Sequence, residues 1–282
     1  MRICPKTLPQ KALLLGGLFP LLGLLAPGLP AQDDKGPRYV LTPVGKVRVL
    51  ENKEAKKLLK EITPILKTKA ARKNRKGKKG KKAPKDKGFL KRLETIEKLE
   101  TLQHPSLVRV LETVVRRDPT DIVRTKAARA LFAQPKKEAR AAALRLLRDK
   151  SLKGRGGIQA PLIRILSRFG APKKVWDKLR SSFLDLGPLA QIAFLESVEE
   201  RRDWDSVDLL LDHLDPPSPE NVDARENPPA EYWERRWKAW KAFKPALLKA
   251  LEALFGRTFP SKKEAKTWIK EQGGLSRIRK KR

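Results

Sequence analysis

Cysteine is almost absent. The 282 residues include one, Cys4, with two histidines and one methionine. Zinc, iron–sulfur and disulfide architectures need such ligands in number, so none of them organises this chain. Aromatic residues are sparse at 6%. Glycine and proline stand near average usage, which excludes collagen and Gly/Pro-rich low-complexity chains. Acids are outnumbered: 32 Asp+Glu face 65 Lys+Arg, a formal net charge of +33. Apolar residues make up 40%, enough for a core, so disorder throughout is not expected.

Residues 1–31 read as a secretory signal peptide. Arg2, Lys6 and Lys11 form a positive start without an acid, Ala12 to Ala26 is an apolar run, and Leu29-Pro30-Ala31 presents a small residue for cleavage. The expected mature start is Gln32. The competing reading is a transmembrane anchor, since 12–31 is uncharged and near spanning length. Pro20, Pro27 and Pro30 and the lack of an immediate basic stop favour the signal. Cleavage removes the sole cysteine, so the mature fold must rest on apolar burial without disulfides. No integral membrane span is expected afterwards.

Composition divides the remainder. Residues 32–71 hold brief alternation near 37–50, compatible with a small hairpin, then a helical pattern over 51–66 that Pro64 should kink or end. Residues 72–88 are a basic linker. Arg72, Lys73, Arg75, Lys76, Lys78, Lys79, Lys81, Lys82, Lys85 and Lys87 are ten cations within residues 72–87, against one acid, Asp86. Like charges repel and nothing there packs, so this arm is expected to be disordered when free. Residues 32–88 carry +14 and residues 89–282 carry +16, so nearly half the excess sits in the shorter part.

From Phe89 the pattern becomes continuously helical. Stripes such as Leu107/Val110/Leu111/Val114 and Ile122/Ala127/Leu131 recur, and Asp118-Pro119, Gly187-Pro188 and Asp215-Pro216-Pro217 punctuate them. Further helices are expected over 158–169, 172–184, 187–200, 204–214, 231–242, 245–255 and 262–271. Short connections suit antiparallel helix pairs. An acidic, Pro-rich loop at 215–230 separates 89–214 from Trp-rich helices and a basic tail at 231–282.

One stretch, 104–134, resembles a HEAT repeat. It has an apolar helix, the turn Asp118-Pro119, and a second helix with Val123, Arg124, Ala127, Ala128, Ala130 and Leu131. Later units share a spacing of 32–35 residues but not the signature: Leu166 follows Leu131, and 204–207 mirrors 172–175. The resemblance implies an all-α, HEAT-like solenoid of antiparallel helix pairs, with an ordinary helical bundle as the alternative. It also implies structural roles for Asp118 and Arg124, because the turn Asp and the helix Arg of such repeats pair between neighbours. The ending at 231–282 is similar to that of exported bacterial HEAT-repeat proteins, which implies no activity.

Few residues suggest catalysis. His104 and His213 are isolated and read as helix-end residues, without metal-ligand spacing. Glu199, Glu200, Asp203 and Asp205 read as solvated ion-pair partners beside Arg201 and Arg202 rather than a catalytic acid pair. There is no nucleophile elbow, no phosphate-binding glycine loop and no Ser/His/Asp grouping. HEAT-like folds include glycosylases of alkylated DNA bases, but no matching signature is present. No cofactor and no enzymatic activity are expected. Trp233, Trp237 and Trp240, interleaved with Arg235, Arg236, Lys238 and Lys241, read as a buried helix face or, alternatively, as an aromatic platform flanked by cations.

The basic arm is the leading candidate for function, with a solvating spacer as its bland alternative. Ten cations in so short a run attract any polyanion. Arg109, Arg116, Arg117, Lys126, Arg129, Arg140, Arg145 and Arg148 on the helices extend the same field. The expected function is an exported, non-enzymatic helical scaffold engaging an anionic macromolecule: envelope polysaccharide, lipid phosphate or acidic protein. Nucleic acid becomes the partner only if residues 1–31 are not a signal.

Overall fold

A computed structural model describes residues 37–43, 45–66, 88–219 and 227–281. The expected signal segment, the basic arm at 72–87 and residues 220–226 of the acidic loop lie outside them.

The hairpin expected near 37–50 forms. β1 (Arg38–Thr42) pairs antiparallel with β2 (Gly45–Val49), with Val40 opposite Val47. Gly45 has φ +116°, a backbone that other residues rarely adopt, so glycine is needed at this turn. A third strand, β3 (Leu102–Gln103), runs parallel to β2. The alternation in the sequence does not announce β3, because two residues carry no period.

Twelve α-helices occupy the described residues. α1 (Asn52–Leu66) keeps Pro64 within its last turn and buries Ala55, Ile62 and Leu66. α2 (Phe89–Glu100), α3 (Pro105–Arg117), α4 (Asp121–Ala130), α5 (Lys136–Leu147) and α6 (Gly156–Phe169) follow. Then come α7 (Lys173–Ser181), α8 (Pro188–Arg201), α9 (Val207–Asp212), α10 (Ala230–Phe255), α11 (Lys262–Glu271) and α12 (Leu275–Lys281). Local chemistry sets several ends. His104 caps α3, its Nδ1 accepting the Ser106 N–H at 3.2 Å, with Pro105 in the first turn where no hydrogen bond is lost. Ser261 caps α11 by accepting the Glu264 N–H, and Gly256 closes α10 at φ +72°.

The helices pack in two layers. α2, α4, α6, α8 and α10 succeed one another as neighbours in one layer. α1, α3 and α5 do so in the other, with α3 against α4 and α5 against α6 as pairs. Alanine makes this spacing feasible: Ala127, Ala128 and Ala130 of α4, Ala139, Ala142 and Ala143 of α5, and Ala190 and Ala193 of α8 are fully buried. α6 and α8 meet most closely at their starts, where a side chain on Gly156 would lie 3.1 Å from the Gly187 backbone. A single core runs from Leu50 to Ile278. All six tryptophans fall from Trp176 onward.

Two helices expected over 231–242 and 245–255 are one. α10 continues through Pro245 for 26 residues. Proline removes one helical donor and crowds the carbonyl four residues earlier. Burial of Trp240, Phe243, Leu247, Ala250, Leu251 and Leu254 along the same helix outweighs that loss.

Seven ion pairs between helix pairs link residues 32 to 34 apart in sequence. Arg145 grips Glu112 through two hydrogen bonds of 2.9 and 2.8 Å, 33 residues apart. Arg164 reaches Glu196 and Arg168 reaches Glu200, each 32 residues apart. Arg155 reaches Asp121, 34 residues apart. Arg116–Asp149, Lys153–Asp185 and Lys173–Asp205 follow the same rule. Neutral groups join in: the Gln134 amide donates to the Leu102 carbonyl at 2.9 Å and accepts the His104 N–H at 3.2 Å.

One pair is fully buried. The Arg92 guanidinium on α2 donates to Asp118 at 2.8 Å, and both side chains are 1% exposed. Asp118 also accepts the Thr120 N–H at 2.9 Å. The resemblance paired a turn Asp with a helix Arg between neighbours. Here Arg92 fills that place, while Arg124 donates to the Val115 carbonyl at 2.6 Å and to Asp121. The reason is reach: Arg124 lies beyond the turn on α4 and folds back over the end of α3. Removing one partner of such a pair leaves a buried unpaired charge. Asp118→Ala is expected to destabilise the fold by about 3–5 kcal/mol, and Arg92→Met/Asp118→Leu to restore most of that. Urea midpoints of the three chains check this.

Candidate functional site

A cleft of about 750 Å³ opens beside the start of α10. Six parts of the chain line it, Lys262 at the start of α11 among them. The 3-10 turn Phe183–Asp185 and Gln191 of α8 form one side, and Asp212 and His213 at the end of α9 form the base. Asp215, Pro216, Pro217 and Ser218 line its rim. The first turns of α10 supply Tyr232, Trp233, Arg235, Arg236, Ala239, Trp240 and Phe243.

The aromatic stripe is split between the two roles considered for it. Trp240 is 9% exposed, and its Nε1 donates to the His213 carbonyl at 3.0 Å, tying α10 to the end of α9. Trp237 is 44% exposed and stacks on Trp240 at 6.4 Å, with the Lys241 ammonium 3.6 Å from its ring centre. Trp233 is half-buried, and its Nε1 is buried without a partner. A helix of 26 residues outruns the layer it covers, so only its later part is buried on one whole face.

Charge in the cleft is uneven. Each acid lining it is engaged: Asp212 takes the Lys262 ammonium at 2.8 Å, Asp215 takes the Lys262 backbone N–H at 3.1 Å, and Asp185 takes Lys153 at 3.1 Å. Arg235 and Arg236 form no ion pair among the described residues. Arg235 donates to the Glu231 carbonyl. Arg236 donates to the Tyr232 hydroxyl at 3.2 Å and lies 5.7 and 5.8 Å from the Tyr232 and Trp233 ring centres. Gln191, only 3% exposed, donates its amide N–H to the Phe183 carbonyl at 3.1 Å, and its Oε1 has no partner.

His213 ends a helix, as expected, yet it is half-buried rather than on the surface. Its ring lies 5.2 Å from that of Phe183 and 6.2 Å from that of Phe243. Burial, then the charge of Arg236, hold its pKa below the ordinary histidine value, against the opposing pull of Asp212. His104 is committed to its cap and to Asn52. Among the described residues, no group of three or more His, Cys, Asp or Glu could hold a metal ion.

The helix-borne cations divide in two. Arg116 and Arg145 share Glu112, and Lys126 pairs with Glu97. Arg109, Arg117, Arg129, Arg140 and Arg148 are exposed and form no ion pair among the described residues. Acids of the cluster read as ion-pair partners are paired, with cations other than Arg201 and Arg202: Glu200 with Arg168, Asp203 with Arg180, and Asp205 with Lys173. The cleft itself brings together residues 184, 191, 213 and 236, a set that the sequence reading did not assemble. The chain matches no protein-family model, no curated protein and no solved structure. No helix among the described residues is long and apolar enough to cross a membrane.

A histidine with a depressed native pKa binds its proton more readily in the unfolded chain. Its contribution to stability is therefore complete above the unfolded pKa, near 6.5, and is lost as pH falls below it. Urea titrations at stepped pH are expected to show this loss in the native chain. His213→Gln should flatten that part of the profile.

Proposed function

We propose that this chain is an exported, non-catalytic helical scaffold of HEAT-like type that captures an anionic macromolecule by Lys/Arg electrostatics. The observation that carries the reading is the fate of the acids. With 65 cations against 32 acids, many acids are held at contacts between helix pairs, so the cationic excess faces solvent. Exposed arginines such as Arg109, Arg140 and Arg148 then add to the field of the basic arm at 72–87. Residues 1–31 direct the chain out of the cytoplasm, which favours acidic envelope polysaccharide, lipid phosphate or acidic protein over nucleic acid as the partner.

Binding of this kind falls linearly on a log–log plot against salt, with a slope set by the number of cations engaged. The probes are a fluorescent acidic polysaccharide, phosphatidylglycerol vesicles and duplex DNA, each titrated against the chain starting at Gln32. The quadruple change of Lys78, Lys79, Lys81 and Lys82 to Ala should weaken polyanion binding and reduce the slope by about 3. An unchanged slope makes the arm a spacer. Intact mass and N-terminal residue from separated cell fractions test export. A cytoplasmic chain retaining Met1 would transfer the reading to nucleic acid.

A further inference from the structure

The cleft contains more than charge. Its unsatisfied groups describe a ligand. Gln191 Oε1 is an acceptor that needs a donor, and Trp233 Nε1 is a donor that needs an acceptor. Both are buried, and buried polar atoms in folded proteins are rarely left alone. Arg236, and Arg235 beside it, supply guanidinium donors that form no ion pair among the described residues, the cleft's three aspartates being held by Lys262 and Lys153. Tyr232, Trp240 and Phe243 supply apolar surface. The His213 ring, whose pKa burial holds below the ordinary value, adds two ring nitrogens.

A bare inorganic anion answers the arginines but leaves the apolar wall and the Gln191 acceptor unmet. A purely aromatic acid answers the wall and the arginines but brings no donor for Gln191. A hydroxylated ring bearing a carboxylate answers all of them: its hydroxyls both donate and accept, its C–H face lies on the aromatics, and its anion meets the arginines. The volume falls within the range of small-ligand sites. In the hollow beside Glu112, that carboxylate is already held by Arg145 and Arg116.

We propose that the cleft between α8, the end of α9 and the start of α10 binds an acidic sugar unit through Arg236, Trp233 and Gln191. This goes beyond electrostatic capture. It rests on the reading above in taking an acidic polysaccharide as the partner class, and it does not require the basic arm.

The test is calorimetric titration of the chain starting at Gln32 with trigalacturonate, with neutral galactotriose, and with sulfate and benzoate as small-anion controls. Saturable binding is expected for trigalacturonate and not for galactotriose. Arg236→Gln and, separately, Trp233→Phe are expected to weaken it about tenfold or more, the effect of losing a hydrogen bond to a charged or buried group. Arg236→Lys keeps the charge, removes the planar fork and should fall between. Circular dichroism confirms that each variant is folded.

Equal binding of galactotriose overturns the proposal, as does binding of sulfate or benzoate as tight as trigalacturonate. Native affinity in both Arg236→Gln and Trp233→Phe overturns it too. The quadruple lysine variant separates the two readings. If it leaves trigalacturonate affinity within about twofold of native while Arg236→Gln does not, the cleft acts apart from the arm. If instead the quadruple variant abolishes trigalacturonate binding and Arg236→Gln leaves it intact, the site is the arm and the cleft proposal falls.

Discussion

A chain with twice as many cations as acids is held together or pushed apart according to where its acids stand. Here they stand at the joints. Glu112, Glu196, Glu200 and Asp205 each receive a cation from a helix 32 or 33 residues away. Taken singly, exposed pairs of this sort contribute little. Their collective effect is positional, because they neutralise repulsion where helices must approach and leave it where the surface is free. Arg92 and Asp118 apply the same logic inside the core, where water cannot screen them.

The helices and the spacing between their pairs were legible in the sequence. Seven ion pairs link residues 32 to 34 apart, close to the spacing of 32–35 noted between sequence matches. The helix-end place of His104 was legible too, since its cap depends on neighbours a few residues away. Pro245 was misleading for a physical reason. Proline reports a local cost, and only the packing of α10 on α8 shows what offsets it. The two-residue strand β3 is too short to leave a pattern.

The site was legible in fragments. Tryptophans at helical spacing with arginines between them marked the start of α10 as unusual. Which of those rings is buried was not readable, because α10 is longer than the surface it covers. His213 looked like a surface residue from its helix-end position, and only the rings of Phe183 and Phe243 show why it is not. Gln191 carried no signal at all. A single glutamine in an apolar helix becomes informative only when its carbonyl oxygen lacks a partner beside an opening.

The placement of the tryptophans has an optical consequence. With every indole at or after Trp176, selectively excited tryptophan emission reports on α7 onward and is blind to the hairpin and to α1 through α6. Amide circular dichroism sums over the helices of both halves. Parts of a helical protein with different local stability can loosen at different points. In this protein such uneven melting would appear as two colours of signal that disagree about when the chain unfolds.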